Sequence, residues 1–279
     1  MAFRWAVYRY LNRRILPRWG WALRKASPEG DNFTINHRDR LIEAAVADLA
    51  PWAGAAGFET TTLPALVGEF LDLHPRRPVR DNAGGSGFNA SLGLFVAARL
   101  AAPLTIVESG TFQGHSAWLF AEACPAARVI SFDIEHDNLE HRHNRVDYRL
   151  GDWSTADLAG IDPATTLLFF DDHVSHARRL REAHARGFRL ALFDDDLPAH
   201  ALHATGVPPA PTLSMLHDTR LTSGETLVWR RRGREYRLTL GADDLATRSL
   251  VAGRHPLPDL GWATGYRANQ GTVLVRLQP

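Results

Sequence analysis

The spacing of apolar residues along the chain changes near residue 104. Before that point it is helical: RDRLIEAAVADLA predicts a helix from about 38 to 50, and LPALVGEFLDL a second over 63–73, closed by HPRRP. DNAGGSGFNASLGLFVAARLAA then reads as a glycine loop running into a third helix. From Leu104 on, short β-branched or aromatic runs alternate with helical stretches. The runs are LTIVES (104–109), RVISFDI (128–134), DYRLGD (147–152), TTLLFFDD (165–172) and RLALFDD (189–195); HSAWLFAEAC and SHARRLREAHARG lie between them. Strands that are continuously hydrophobic and alternate with helices predict a parallel sheet covered on both faces, hence a doubly wound α/β domain. Towards the C-terminus, TLVWRRRGREYRLTL predicts a hairpin turning near Gly233, ADDLATRSLVAG a helix, and GTVLVRL (271–277) a final buried strand. The expected organisation is an arm over 1–30, a helical cap over 31–102 and the α/β domain over 103–279.

At 279 residues the chain suits one large domain with an appendage, and 45% hydrophobic content supplies a core. With 23% charged residues, wholesale disorder is excluded, as are fibrous and disulfide-scaffold classes. Cys124 is the only cysteine, so no internal disulfide forms and a reducing, cytoplasmic setting is expected. No apolar run reaches the roughly 18 residues of a spanning helix, and arginines interrupt any N-terminal secretion signal.

The net charge of +1 conceals an uneven distribution. Residues 1–25 carry Arg4, Arg9, Arg13, Arg14, Arg18, Arg24 and Lys25 and no acid, leaving the rest of the chain acidic. Trp5, Tyr8, Tyr10, Trp19 and Trp21 among these arginines suit the headgroup level of anionic lipid, so peripheral contact with the inner face of a membrane is one expectation. Arg4 and Arg14 fall among the apolar positions and Pro17 interrupts the helix, which favours an arm packed on the domain or on a partner. In the hairpin, Glu235 breaks the run of arginines and alternation sends neighbours to opposite faces. A solvated hairpin is expected there, and no nucleic-acid partner.

In a doubly wound sheet the ligand lies beyond the carboxyl ends of the strands. The first end is Glu108, followed by Gly110-Thr-Phe-Gln-Gly114-His-Ser116 and a helix. Its glycines permit a tight turn and close approach to a ligand, and the helix start offers unpaired N–H groups. The spacing is neither the G-x-G-x-x-G of a dinucleotide site nor a P-loop. Asp133 ends the second strand, about 20 residues beyond the loop, where a carboxylate accepts from two ribose hydroxyls. Asp152, after the third strand, is placed to border an adenine ring. A carboxylate at Glu108 suits a cationic ligand and would repel pyrophosphate. An adenosine-type, phosphate-free, cationic ligand points to S-adenosylmethionine.

These residues resemble the class I S-adenosylmethionine-dependent methyltransferases. The resemblance rests on IVESGTFQGHS, ISFDIE and the Gly-Asp after the third strand, and covers roughly residues 80–279. Within that superfamily the chain is most similar to the macrocin O-methyltransferase and cephalosporin-hydroxylase-like group. The resemblance implies a Rossmann-like fold with a C-terminal antiparallel hairpin strand, S-adenosylmethionine held by Glu108, Gly110, Gly114, Ser116, Asp133 and Asp152, and methylation of a hydroxyl on a saccharide or natural product. It also admits iron-dependent oxidation, because the group includes members named for hydroxylation. A non-catalytic, membrane-associated nucleoside-binding protein is the reading from outside enzymology.

The fourth and fifth strand ends, Asp171-Asp172-His173 and Asp194-Asp195-Asp196, are more acidic still. Parallel neighbours lie about 4.8 Å apart, so these carboxylates converge and repel unless a cation or a raised pKa relieves them. Mg²⁺ or another hard divalent ion would do so. Metal-dependent O-methyltransferases of this superfamily place an acid after the fourth strand and an acid pair after the fifth. This implies Asp171, Asp195 and a neighbour, taken as Asp196, as ligands. The metal would hold a substrate hydroxyl and lower its pKa. His173 or His176 would take the proton, unless both histidines only cap the helix near Ser175 or face solvent. His136, His141 and His143 lack the spacing of a zinc site, and Cys124 reads as a packed side chain. Asn82 and Asn89 in the loop 80–89 are further candidates for the cofactor pocket, or else they simply make the turn. The acceptor is a small molecule or a glycan; the sequence leaves the oligomeric state open.

Overall fold

The computed structural model describes residues 7, 10–19, 37–80, 82, 84–204, 208–231, 233–266 and 271–279. Most of the basic arm lies outside this set; its described part is a π-helical turn, Leu11–Ile15, followed by a 3-10 turn, Leu16–Trp19. The cap consists of α1 (Arg38–Ala55), α2 (Leu63–Leu73) and α3 (Phe88–Ala101). The helix α1 runs through Pro51, where the sequence predicts an end. Its last turn carries Trp52 and Ala53 into the core, and the Trp52 indole N–H donates to the His255 carbonyl at 3.0 Å, so tertiary packing outweighs the proline.

The α/β part follows as β1 (Thr105–Ser109), α4 (His115–Ala123), β2 (Arg128–Asp133), β3 (Val146–Leu150), β4 (Thr166–Phe170), α5 (His176–Ala185) and β5 (Leu190–Phe193). Next come α6 (Leu213–Leu216), β6 (Thr226–Arg231), β7 (Arg234–Thr239), α7 (Ala242–Ala246), β8 (Val251–Pro256), α8 (Gly261–Thr264) and β9 (Val273–Leu277). Seven strands form one sheet in the order β3-β2-β1-β4-β5-β9-β8. The first five are mutually parallel, and β9 runs antiparallel to both of its neighbours. This is a doubly wound, Rossmann-like sheet.

Two points differ from the sequence reading. The hairpin β6–β7 is a separate two-stranded sheet, so the antiparallel pair of the main sheet is β8–β9. Residues 251–256 form an edge strand, whose first three residues fall in the helix expected over 242–253. They contain Gly253 and Pro256 and a register shift, and their exposure does not alternate cleanly, so the usual strand signals are missing.

Alternation divides the core into two layers. Ile106, Val129, Leu167, Phe169, Leu192 and Leu274 face α1 to α4, whereas Val107, Ile130, Leu168, Phe170, Phe193 and Val275 face α5 and α6. The same parity carries Glu108, Ser131, Asp171 and Asp194 to the cap side at the carboxyl ends of their strands, and Asp172 to the α5 side. No helix among the described residues is long and apolar enough to cross a membrane.

Candidate functional site

The loop between β1 and α4 is held in place by protein contacts. Gly110 has φ +104, and a Cβ there would collide with the Asp171 carbonyl; Gly114 has φ +87, and a Cβ there would collide with the His141 carbonyl. Only glycine permits both conformations and both close approaches. The Asp133 carboxylate accepts from the backbone N–H groups of Thr111 (2.9 Å) and Phe112 (3.0 Å), which ties the end of β2 to this loop.

Glu108 is fully buried beneath the loop. Its Oε2 accepts a short hydrogen bond from the Ser131 hydroxyl, which is bonded in turn to the Thr111 hydroxyl at 2.6 Å. Its Oε1 has no hydrogen-bond partner among the described residues. Burial lifts its pKa to about 7, against the opposing pull of the Ser116 and Ser131 hydroxyls and with a further push from Asp133. Ser116 is buried at the start of α4 beside it.

Three apolar side chains stand exposed around Asp133, and the sequence reading passed over all of them. Ile134 is 82% exposed directly after the strand end, Leu150 is paired in register with Asp133, and Phe112 sits in the glycine loop. Large apolar groups left in water beside a carboxylate offer a platform for a flat ring. The signal was available in the sequence as an isoleucine between two acids, Asp133-Ile134-Glu135. The cap approaches here too, since a Cβ at Gly84 would touch the Phe112 ring at 3.9 Å. Asn82 and Asn89, by contrast, make internal bonds: Asn82 Nδ2 donates to the Ser86 carbonyl at 3.0 Å, and Asn89 Oδ1 accepts from the Thr264 hydroxyl at 2.7 Å.

Asp152 is also engaged internally. It caps the turn Trp153–Thr155 through Ser154 N–H (2.9 Å) and pairs with Arg179 (2.9 Å) and Arg178 (3.1 Å). Arg179 is nearly fully buried and also binds Asp172 (2.7 Å) at the end of β4, so Asp152 and Asp172 hold α5 to the strand ends, while Glu182 (2.6 Å), one turn along α5, pairs with Arg179 within the helix.

At the ends of β4 and β5, Asp171, His173, Asp194 and Asp195 line a small cleft that is open to solvent. Burial raises the Asp171 pKa well above the usual carboxylate range, and Asp194, Asp195, Glu108 and Asp172 add repulsion. Asp195 is pushed up to about 6 by burial and by Asp194, with His173 opposing. His173 and Asp195 both adopt left-handed backbone, φ 55 and φ 54, which is uncommon for residues with a side chain and marks a constrained site. They face each other with His173 Nδ1 3.6 Å from Asp195 Oδ2; the imidazole is 54% exposed and the carboxylate 10%.

The metal set read from the sequence does not assemble. Asp196 turns away to accept from Ser214 N–H (2.6 Å), the Ser214 hydroxyl (3.0 Å) and Arg254 (2.5 Å), whose guanidinium balances its charge without a metal ion. Asp194 takes the place beside Asp171, with Oδ1 accepting from the Thr272 hydroxyl at 2.6 Å. Among the described residues no three His, Cys, Asp or Glu side chains form a group that could hold a metal ion.

His176 is likewise not a base. It is buried, its Nδ1 accepts from Leu213 N–H (3.2 Å) and its Nε2 donates to the Asp194 carbonyl (3.0 Å). Burial drives its pKa down to about 4. Two further buried histidines, His74 and His115, carry no signal in the sequence; His115 Nε2 meets the Ser91 hydroxyl at 2.9 Å and joins α4 to α3. Cys124 packs as expected, with its thiol pushed up to about 11 by burial.

No protein-family model and no curated protein matches the chain. Solved structures do. They include an SAH-bound Podospora anserina methyltransferase (15% identity, 88% of this chain and 98% of that one, TM-score 0.41) and a Bacillus cereus O-methyltransferase in complex with SAH (13%, 77% and 91%, 0.40). A third is a Streptomyces achromogenes O-methyltransferase involved in tomaymycin synthesis, in complex with SAM (14%, 88% and 100%, 0.42). Likeness at this level assigns no activity, which has to be argued from the site itself.

Proposed function

We propose that the chain is an S-adenosylmethionine-dependent methyltransferase acting on a hydroxyl oxygen. The observation that carries this reading is Glu108: a fully buried carboxyl with one oxygen unpartnered, beneath a glycine loop and on the same sheet face as Asp171 and Asp194. A buried carboxyl whose pKa is lifted to about 7 gives up its proton when a cation binds beside it and gains nothing from a phosphate there, which favours a sulfonium nucleoside over a dinucleotide. The residues present fit that ligand. Glu108 and Ser116 would hold its amino acid end, Asp133 its ribose, and Ile134, Leu150 and Phe112 its ring.

When bound, S-adenosylmethionine supplies an electrophilic methyl group on sulfur. On the acceptor side, His173 is the exposed imidazole at the mouth of the cleft. Asp195 faces its Nδ1, which leaves the other ring nitrogen to take a proton from an acceptor hydroxyl. The acceptor class, a saccharide or a saccharide-bearing natural product, is proposed on the family resemblance. Because Asp196 is committed to Arg254 and Ser214, no step is assigned to a divalent ion, and no observation favours the iron-dependent reading.

Calorimetric titration of the protein with S-adenosylmethionine, in Mg²⁺ and then in chelator, tests this. Saturable binding in the micromolar range that is unchanged by chelation is expected. Absence of binding in both conditions would remove the methyltransferase reading, and binding that requires the ion would restore a metal to the site.

A further inference from the structure

Between β5 and β8 the chain inserts β6 and β7, which pair only with each other. Alternation gives this hairpin two faces. Leu227, Trp229 and Leu238 pack towards the body against Leu202, Met215 and Leu240, and the same face ends at the turn in Arg231 and Arg234. The outer face carries Arg230, Glu235 and Arg237. There Glu235 accepts from both arginines, each at 2.9 Å, so the outer cations have an acid between them.

The inward face has none. Arg231 and Arg234 stand directly opposite each other in the hairpin register, and no acidic side chain among the described residues pairs with either. Like charges at opposed cross-strand positions destabilise a sheet. The Arg234 guanidinium lies 5.3 Å from the centroid of the Tyr236 ring, which is stacked on Trp229 at 5.5 Å and 12°. Two donors on this face, Arg231 Nη1 and Trp229 Nε1, are shut off from solvent without a hydrogen-bond partner among the described residues. The face therefore combines two opposed guanidinium charges with two unsatisfied buried N–H groups.

One kind of ligand answers all four features. An oxoanion between the guanidinium groups converts their repulsion into attraction, and once the arginine side chains shift to admit it, its oxygens accept from the orphaned donors. Arginine forks match phosphate in a bidentate manner. A phosphate monoester carries about −1.5 to −2 near pH 7 and so balances both arginines, whereas a carboxylate balances only one. We propose that the inward face of the β6–β7 hairpin, through Arg231, Arg234 and the Trp229 indole N–H, is a binding site for the phosphate group of a small soluble ligand. The site is independent of the methyl-transfer reading.

The test is a calorimetric titration of the full chain with inorganic phosphate against matched chloride, accompanied by thermal melts with and without phosphate. One saturable site is expected in the wild type, weakened at least about tenfold in Arg231→Gln and Arg234→Gln and retained in Arg230→Gln and Arg237→Gln. Phosphate should raise the melting temperature of the wild type and of the two outer-face variants but not that of the inner-face pair. Without phosphate, Arg231→Gln and Arg234→Gln should melt no lower than wild type, because each relieves the opposed charges. Absence of binding, equal loss in the outer-face variants, tighter binding of sulfate than of phosphate, or inner-face variants that melt lower in phosphate-free buffer would each overturn the proposal. Neither readout uses a methyl donor or acceptor.

Discussion

Glu108 and His176 change their proton affinity on folding in opposite senses, and each leaves a signature in stability against pH. Burial raises Glu108 from 4.5 to about 7, so between those values the folded protein keeps a proton that the unfolded chain has released. Stability contributed by this group is present below about 4.5 and falls as pH climbs to about 7, by about 3 kcal/mol at most. His176 and His115 are driven from 6.5 to about 4, so their contribution is present above 6.5 and is lost as pH falls towards 4. In urea titrations, the advantage of Glu108→Gln over wild type should therefore grow between pH 5 and pH 8. An equal difference at both values would contradict the buried, protonated carboxyl. The two histidines beside the acidic cluster separate on different axes. His176→Ala leaves Leu213 N–H and the Asp194 carbonyl unpartnered and should cost about 2–4 kcal/mol. His173→Ala, at an exposed position, should shift stability by less than about 0.5 kcal/mol while slowing methyl transfer by about 10²-fold or more.

At the scale of elements, the loop from β1 to α4 is shaped by its neighbours before any ligand arrives. Gly110→Ala and Gly114→Ala each add left-handed strain and a collision with a carbonyl, from Asp171 and His141 respectively, and should each cost about 2 kcal/mol or more along with cofactor binding. Gly151→Ala is the comparison: its φ is +115, but nothing lies within 4 Å of the added Cβ, so strain alone of about 1 kcal/mol is expected. Chemical denaturation of the three variants in parallel checks the ranking. If Gly110→Ala proved as mild as Gly151→Ala, the loop would not be packed on the end of β4.

Across the whole molecule, the cap and the sheet share one core. Leu49, Val67, Phe70 and Phe95 belong to the same packed cluster as Ile106, Leu167 and Leu274, and Arg276 of β9 donates to the Ala56 carbonyl at 2.7 Å. A cap over 31–102 is therefore a layer of the domain in packing terms, and calorimetry of the full chain should show one cooperative transition. Two resolved transitions would mean that the cap unfolds by itself.

The sequence by itself determined the sheet and its chemistry in outline. Five hydrophobic runs with acidic ends specify parallel strands because both faces of such a strand must be buried, and parallel strands bring their acidic carboxyl ends together at one edge of the sheet. Period-2 parity also separates Asp171, on the cap face, from Asp172, which meets Arg179 on the other face. The edge strand β8 lacked that legibility, because an edge need not be apolar on both sides. Only the tertiary structure decided which acids remain available. Arg254 and Ser214 take Asp196 from a position 58 and 18 residues away in the chain, and Arg178 and Arg179 take Asp152 in the same way. The roles of His173 and His176 parted for the same reason. A local pattern shows that a group is ionisable, whereas its protonation and reach depend on partners that arrive from distant segments.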